Sequence, residues 1–133
     1  MSSNLYIITG AGTGLGKECA KYFSKNSLVI GTFNRNKLKN AKNLIGQKIN
    51  LESQKEIDNF FNKNKNKIIN SKKIIFLSFA TYKKDGLLID INKKDFHKTF
   101  NINVFSNFYF CSRLIPLILN KKSSIILISS SLG

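Results

Sequence analysis

Apolar runs and helix-like patterns alternate along the whole chain. Continuous apolar runs are typical of strands that are covered on both faces, and they predict five strands at residues 5–9, 28–33, 48–51, 73–79 and 124–129. The segments between them favour helices, and this alternation is typical of βαβ units around a parallel sheet. Right-handed crossovers then predict a doubly wound, Rossmann-type α/β fold with strand order 3-2-1-4-5.

Helical spacing and capping residues predict where the helices lie. A short helix in residues 37–46 should end at Gly46, and a longer one should follow Ser53, an N-cap with Glu56 at the capping-box spacing. Pro116 should bend or end the last helix. Apolar stripes are predicted on the first helix by Leu15, Cys19, Tyr22 and Phe23, and on the last by Phe100, Val104, Phe108, Cys111 and Ile115.

Length and composition narrow the class of protein. The 133 residues suit a single domain, residues 1–133. No run reaches the roughly 20 apolar residues of a membrane span, and the N-terminus lacks the pattern of a secretion signal, which predicts a cytoplasmic protein without a membrane partner. Two distant cysteines and a single histidine do not make a metal site.

The formal charge of +15 raises the possibility of nucleic-acid binding. However, the charge is almost entirely lysine, and only Arg35 and Arg113 carry the forked guanidinium suited to phosphate. The lysines are diluted by asparagines along the whole chain. We therefore interpret the charge as a compositional bias on solvated faces, with a basic nucleic-acid-binding domain as the weaker alternative.

The stretch "ITGAGTGLGKE" places four glycines between the first strand and the first helix. Glycines permit a tight turn there and let a pyrophosphate approach the backbone, while the helix N-terminus supplies free N–H groups for the anion. The position of this turn within a βαβ pattern predicts a dinucleotide-binding site.

These motifs resemble those of the short-chain dehydrogenase/reductase family. Thr9, Gly10, Gly14 and Gly16 match the family's T-G-x-x-x-G-x-G turn, whose spacing differs from the ordinary dinucleotide fingerprint. "FNINVFSNFYFCSRLIPLIL" resembles the family's helix that carries the active-site asparagine, and "IILISSSLG" resembles its fifth strand with the catalytic serine. The resemblance covers essentially the whole chain and implies an NAD(P)-dependent oxidoreductase that transfers hydride between the nicotinamide and a small carbonyl or alcohol substrate.

The resemblance assigns roles to residues of this chain. The implied catalytic residues are Asn103 and Ser130, which precedes Gly133 by three residues as in the family. The implied cofactor-binding residues are Gly10, Thr13, Gly14, Leu15, Gly16, Asn34, Arg35, Asn50, Leu51, Ala80, Thr81 and Asn103. Two departures stand out: only Ala80 remains of the family's N-A-G motif, and Asn50 replaces the aspartate that commonly follows strand three.

Residues at the end of the second strand bear on the choice of cofactor. An acidic residue there binds the ribose 2′-hydroxyl of NAD, whereas a basic one accommodates the 2′-phosphate of NADP. This chain has Phe33 in the acidic position, followed by Arg35, Lys37 and Lys39. The segment predicts a preference for NADP(H) over NAD(H), to which Thr13, where NADP-dependent relatives often carry a basic residue, adds no support.

The family's catalytic tyrosine and lysine, in a Y-x-x-x-K motif after strand five, are not among these 133 residues. Neither Tyr82 nor Tyr109 stands in such a setting. We therefore expect a fragment, with a fold incomplete at its C-terminal side, that does not turn over by itself and whose full-length form is a homo-oligomer. A non-catalytic NADP(H)-binding module is the alternative function.

Overall fold

A computed structural model of the chain describes residues 4–84 and 86–129, and it contains one parallel sheet. The strands are β1 (Asn4–Thr9), β2 (Leu28–Phe33), β3 (Leu44–Lys48), β4 (Lys73–Ser78) and β5 (Ser124–Leu127). They are arranged in the order β3-β2-β1-β4-β5, and every pairing is parallel. The predicted fold class and strand order are confirmed.

The helices of the described residues are α1 (Gly14–Phe23), α2 (Gln54–Asn70), α3 (Lys93–Phe100) and α4 (Ser106–Ile118). A π turn over Asn101–Phe105 connects α3 directly to α4, and a short 3₁₀ turn covers Leu88–Asp90. Pro116 lies inside α4 and does not end it, because the helix continues to Ile118. No helix in the described ranges has the length and apolar character needed to cross a bilayer.

Helices cover both faces of the sheet, as a doubly wound fold requires. Successive residues of a strand point to opposite faces, so Leu5 and Ile7 of β1 pack with α2 and α4, while Ile8 packs on the side of α1. On the α2–α4 side, the rings of Phe60, Phe61 and Phe76 all meet Phe110. This aromatic cluster anchors the two long helices to the centre of the sheet.

The capping residue predicted for α2 is confirmed, and it helps to shape a nearby loop. Ser53 accepts a hydrogen bond from the N–H of Glu56 at 3.2 Å. The Glu56 carboxylate does not close the other half of a capping box. It accepts instead from the N–H of Asn50 at 2.6 Å, which fixes the turn that follows β3.

The prediction for residues 37–46 was wrong. No helix forms there, and β3 begins at Leu44 rather than Lys48. Gly46 pairs in register with Gly31 of β2, and Leu38 lies across both glycines: an added Cβ on Gly46 would be 2.3 Å from the Leu38 carbonyl oxygen. The crossover is therefore a loop that packs directly on the sheet, for which the two glycines leave room.

The predicted apolar stripes were also wrong in part. In α1, Leu15 and Tyr22 are exposed, and the buried residues are Gly16 and Ala20. The stripe predicted for the last helix spans the end of α3, the π turn and α4. Its members Phe100, Val104, Phe108 and Ile115 are exposed and Cys111 is half-buried, whereas the buried residues of α4 are Ser106, Phe110, Leu114 and Ile118. Because α4 is apolar on both faces, its periodicity does not identify the face that packs on the sheet.

Candidate cofactor-binding site

A cleft of about 450 Å³ opens at the carboxyl ends of β1, β2 and β4. At this edge of the sheet, the chain connections diverge on either side of β1. Open α/β sheets bind their ligands at such a point. Eleven of the twelve residues that the sequence predicted for cofactor binding line it: Gly10, Thr13, Gly14, Leu15, Gly16, Asn34, Arg35, Asn50, Leu51, Ala80 and Thr81.

The glycine turn after β1 packs tightly against the turn after β4. Gly10 has φ of +72°, and a Cβ there would lie 2.5 Å from the backbone nitrogen of Ala80. A Cβ on Gly16 would lie 2.3 Å from the carbonyl oxygen of Gly10. Both glycines are therefore needed for the backbone to follow this path, which forms the floor of the cleft.

The N-terminus of α1 faces this cleft with free donors. Thr13 is the N-cap, but its side chain makes no capping hydrogen bond. The first N–H groups of a helix have no acceptor within the helix, and its N-terminus carries a partial positive charge. Gly14, Leu15 and Gly16 supply these groups, so the turn offers several donors to an anion.

The wall formed by the end of β2 is positive. Phe33, Asn34 and Arg35 line the cleft, whereas Lys37 and Lys39 do not. Of the three basic residues that the sequence indicated, only Arg35 is placed to contact a ligand.

On the opposite wall, Asn103 holds a backbone segment rather than lining the cleft. Its side-chain oxygen accepts from the N–H of Tyr82 at 2.9 Å, and its side-chain nitrogen donates to the Tyr82 carbonyl at 2.8 Å. The Asn103 carbonyl in turn accepts from the side chain of Asn107 at 2.9 Å, and Ser78 donates to Asn107 at 2.6 Å. This network joins the end of β4 to the π turn. Ser130, the other predicted catalytic residue, lies outside the described residues.

Several residues of the cleft were missed by the sequence analysis. They are Thr32, Asn36, Ile49, Phe79, Tyr82, Lys98 and Ile102, whereas Gly12 and Phe33, which also line the cleft, belong to segments that the sequence singled out. Most are neighbours of predicted positions at strand ends. For Lys98 and Ile102 the available signal was their separation of four residues, which places both on one face of the helical stretch that leads to Asn103.

Tyr82, which lines the cleft, and Asp95 form a hydrogen-bonded pair whose pKa values are shifted in opposite directions. The Tyr82 hydroxyl donates to the Asp95 carboxylate at 2.7 Å, and this hydrogen bond raises the pKa of Tyr82 and lowers the pKa of Asp95. Because the pKa of Asp95 is lowered in the folded state, its ionised carboxylate stabilises the fold at pH values above the ordinary carboxyl pKa. That contribution is lost as the pH falls through the lowered pKa.

Replacing Tyr82 by Phe removes the donor, so we expect the pKa of Asp95 to rise towards the ordinary carboxyl range. An acid titration that follows the ¹³C shift of the Asp95 carboxyl would measure the change. Tyr109→Phe is the matched control, since the Tyr109 hydroxyl donates to Asp58. An Asp95 midpoint that moves equally in both variants, or in neither, would contradict the prediction.

The geometry defines a Rossmann-type fold with a glycine-rich turn at the N-terminus of α1, and comparison with known proteins identifies the family. The family model for short chain dehydrogenase matches residues 4–133. The 3-oxoacyl-acyl-carrier-protein reductase FabG of Buchnera aphidicola subsp. Baizongia pistaciae (strain Bp) is 34% identical over 143 residues, which cover 97% of this chain and 56% of that protein.

Solved structures agree on the fold. An NADPH-bound carbonyl reductase from chicken fatty liver superposes with a TM-score of 0.82 at 16% identity, covering 100% of this chain and 59% of the other. A short-chain dehydrogenase from Leptospira borgpetersenii serovar Hardjo-bovis (strain JB197) with bound NAD⁺ gives a TM-score of 0.73 at 18% identity, covering 88% and 46%. The chain spans about half the length of these relatives.

The chain belongs to the short-chain dehydrogenase family, a family of oxidoreductases that bind NAD(P)(H).

Proposed function

We propose that this chain carries the cofactor half of an oxidoreductase that passes hydride between a bound nicotinamide and the carbonyl or alcohol carbon of a small substrate. The observation that supports this most directly is the glycine turn of residues 10–16, which opens with the N-terminus of α1 into the 450 Å³ cleft. A 3-oxoacyl group is the substrate class suggested by the FabG relative.

The residues of the cleft fit a dinucleotide. The N–H groups of Gly14, Leu15 and Gly16 suit the pyrophosphate, because they combine free donors with the positive end of the helix dipole. Leu51 and Ile102 provide apolar surface for the adenine. Asn50 would border the adenosine, although its side-chain oxygen already accepts from the N–H of Glu52 at 3.0 Å.

The proposed cofactor is NADP(H) rather than NAD(H). Phe33 offers no carboxylate to a ribose 2′-hydroxyl, and Arg35 lies beside it in the cleft. An acidic residue at this position would favour NAD, whereas a guanidinium suits a 2′-phosphate.

The proposed chemistry divides between this chain and the rest of the protein. A nicotinamide held in the cleft would supply the hydride acceptor or donor. Ser130 would hydrogen-bond the reacting oxygen of the substrate, and Asn103, in the π turn, would hold the segment after β4 through its bonds to Tyr82. A tyrosine with a lysine four residues later, supplied by a longer protein, would transfer the proton.

The test of this function is a calorimetric titration of the chain with NADP⁺ and NAD⁺. We expect saturable binding of both, with NADP⁺ at least about tenfold tighter. Arg35→Ala should remove most of that difference by weakening NADP⁺ alone. Lys37→Ala removes the same charge from a neighbouring residue that does not line the cleft, and it should change neither affinity. Failure to bind either dinucleotide would refute the proposal.

The same samples distinguish an enzyme fragment from a complete binding module. Tyr82 and Tyr109 hydrogen-bond Asp95 and Asp58, and neither is followed four residues later by lysine. We therefore expect no oxidation of NADPH by the 133-residue chain with ketones, aldehydes or acyl thioesters. Turnover above that of a Ser130→Ala variant would show that another residue transfers the proton.

A further inference from the structure

The charged residues that line the cleft, among those the structure describes, are both positive: Arg35 and Lys98. Within the same described ranges, neither forms an ion pair with a carboxylate. Two cations that line one cleft without carboxylate partners favour the binding of an anion there. Arg35 follows β2, where the sequence already predicted a cofactor contact, whereas Lys98 lies in α3.

Lys98 reaches the cleft from α3, one helical turn before Ile102, which also lines it. Its ammonium nitrogen lies 4.6 Å from the centroid of the Tyr82 ring, a cation–π contact. This contact holds a long, flexible side chain against the wall of the cleft, which lowers the entropy lost when the ammonium binds a ligand.

Tyr82 is itself held by hydrogen bonds at its hydroxyl and at its backbone. Its hydroxyl donates to Asp95, and its backbone N–H and carbonyl are both bonded to the side chain of Asn103. Arg35 lines the same cleft as Tyr82, and its charge opposes, as a weaker effect, the increase that the Asp95 bond causes in the pKa of Tyr82. Tyr82 therefore holds Lys98 in place within the cleft that Arg35 also lines.

We propose that Lys98 is a second phosphate-binding residue of the cleft, held by the Tyr82 ring, and that together with Arg35 it selects a dinucleotide whose adenosine ribose carries an extra phosphate. The inference rests on the proposed function of the cleft. The pyrophosphate is served by the N–H groups of the glycine turn at α1, a different element. The cations at the end of β2 and on α3 are thus available for the phosphate that distinguishes NADP(H) from NAD(H).

The experiment compares Lys98→Ala with Lys93→Ala, an exposed residue of the same helix that does not line the cleft. Each variant is titrated calorimetrically with NADP⁺, NAD⁺ and adenosine 2′-monophosphate, and far-UV circular dichroism verifies that it is folded. Lys98→Ala should weaken NADP⁺ and adenosine 2′-monophosphate by roughly tenfold, the effect of losing one charge-assisted hydrogen bond, and should change NAD⁺ by less than about twofold. Lys98→Arg should retain the preference, and Lys93→Ala should bind as the unmodified chain does.

Two results would overturn the inference: equal weakening of NADP⁺ and NAD⁺ by Lys98→Ala, or no weakening of either. If Arg35→Ala weakens NADP⁺ while Lys98→Ala does not, the proposed cofactor site stands and only the role of Lys98 is wrong. If the unmodified chain binds neither dinucleotide, the proposed function fails and this inference fails with it.

Discussion

Gly10→Ala is expected to lower the free energy of unfolding by about 3 kcal/mol and to abolish dinucleotide binding. The added methyl would lie 2.5 Å from the Ala80 nitrogen and 2.6 Å from the Phe79 carbonyl carbon, and both are backbone atoms that cannot move without shifting the end of β4. The left-handed φ of +72° adds a conformational cost for any residue with a Cβ. Urea unfolding followed by circular dichroism would measure the loss.

Gly14→Ala is the matched control for this variant. Gly14 also has a positive φ, +54°, but beyond its chain neighbours and the backbone of its own helix no atom lies within 4 Å of a Cβ added there. Only the conformational cost applies, about 1–2 kcal/mol. Equal losses in the two variants would show that the packing of the glycine turn against the turn after β4 has been misjudged.

Phe110→Ala is the second variant with a large expected effect. The Phe110 ring is 1% exposed and stacks on Phe76 with centroids 4.7 Å apart and an interplanar angle of 20°. Phe60 and Phe61 enclose it at 5.3 and 4.7 Å. Truncating a buried phenylalanine of this kind costs about 3–5 kcal/mol, from lost burial and the cavity left behind. Thermal and urea unfolding would measure the change.

Phe108→Ala, two residues earlier in α4, tests whether the assigned face of the helix is correct. The Phe108 side chain is 72% exposed, so its removal should change stability by no more than about 0.5 kcal/mol. A larger loss for Phe108→Ala than for Phe110→Ala would mean that α4 packs on the sheet through the opposite face.

The strand order and the location of the glycine turn could be predicted from the sequence for simple physical reasons. Strands buried on both faces need uninterrupted apolar runs, and "LYIIT" and "KIIFLS" supply them. Handedness rules then leave few topologies. Ser53 could be recognised as an N-cap because capping is a local interaction within four residues.

Features that depend on packing between distant segments could not be predicted in this way. The loop in place of a helix before β3 exists because Leu38 fits over Gly31 and Gly46, which are brought together by the pairing of β2 and β3. The buried face of α4 is set by the cluster around Phe76, since either face of the helix is apolar. Local periodicity holds no information about either contact.

The candidate site contains residues of both kinds: some could be predicted from the sequence, and others depend on packing between distant segments. The residues at strand ends, such as Arg35 and Ala80, follow from the topology because the carboxyl ends of parallel strands meet at one edge. Lys98 contacts the ring of Tyr82, and Tyr82 is in turn held by Asn103 and Asp95. The placement of Lys98 therefore depends on contacts between separate parts of the chain. These contacts appear only once the fold is known.

The central claim is that a dinucleotide binds at the glycine turn, and a ¹H–¹⁵N correlation spectrum of the chain titrated with NADPH tests it most directly. We expect saturable shifts of the amides of residues 10–16, followed by those of Arg35 and Ala80 across the cleft. The exposed lysines of α2, such as Lys63 and Lys65, lie outside this cleft, and their amides should not shift. Shifts confined to α2, or unsaturable shifts that vanish as salt is added, would show diffuse binding of phosphate by the basic surface and would contradict the claim.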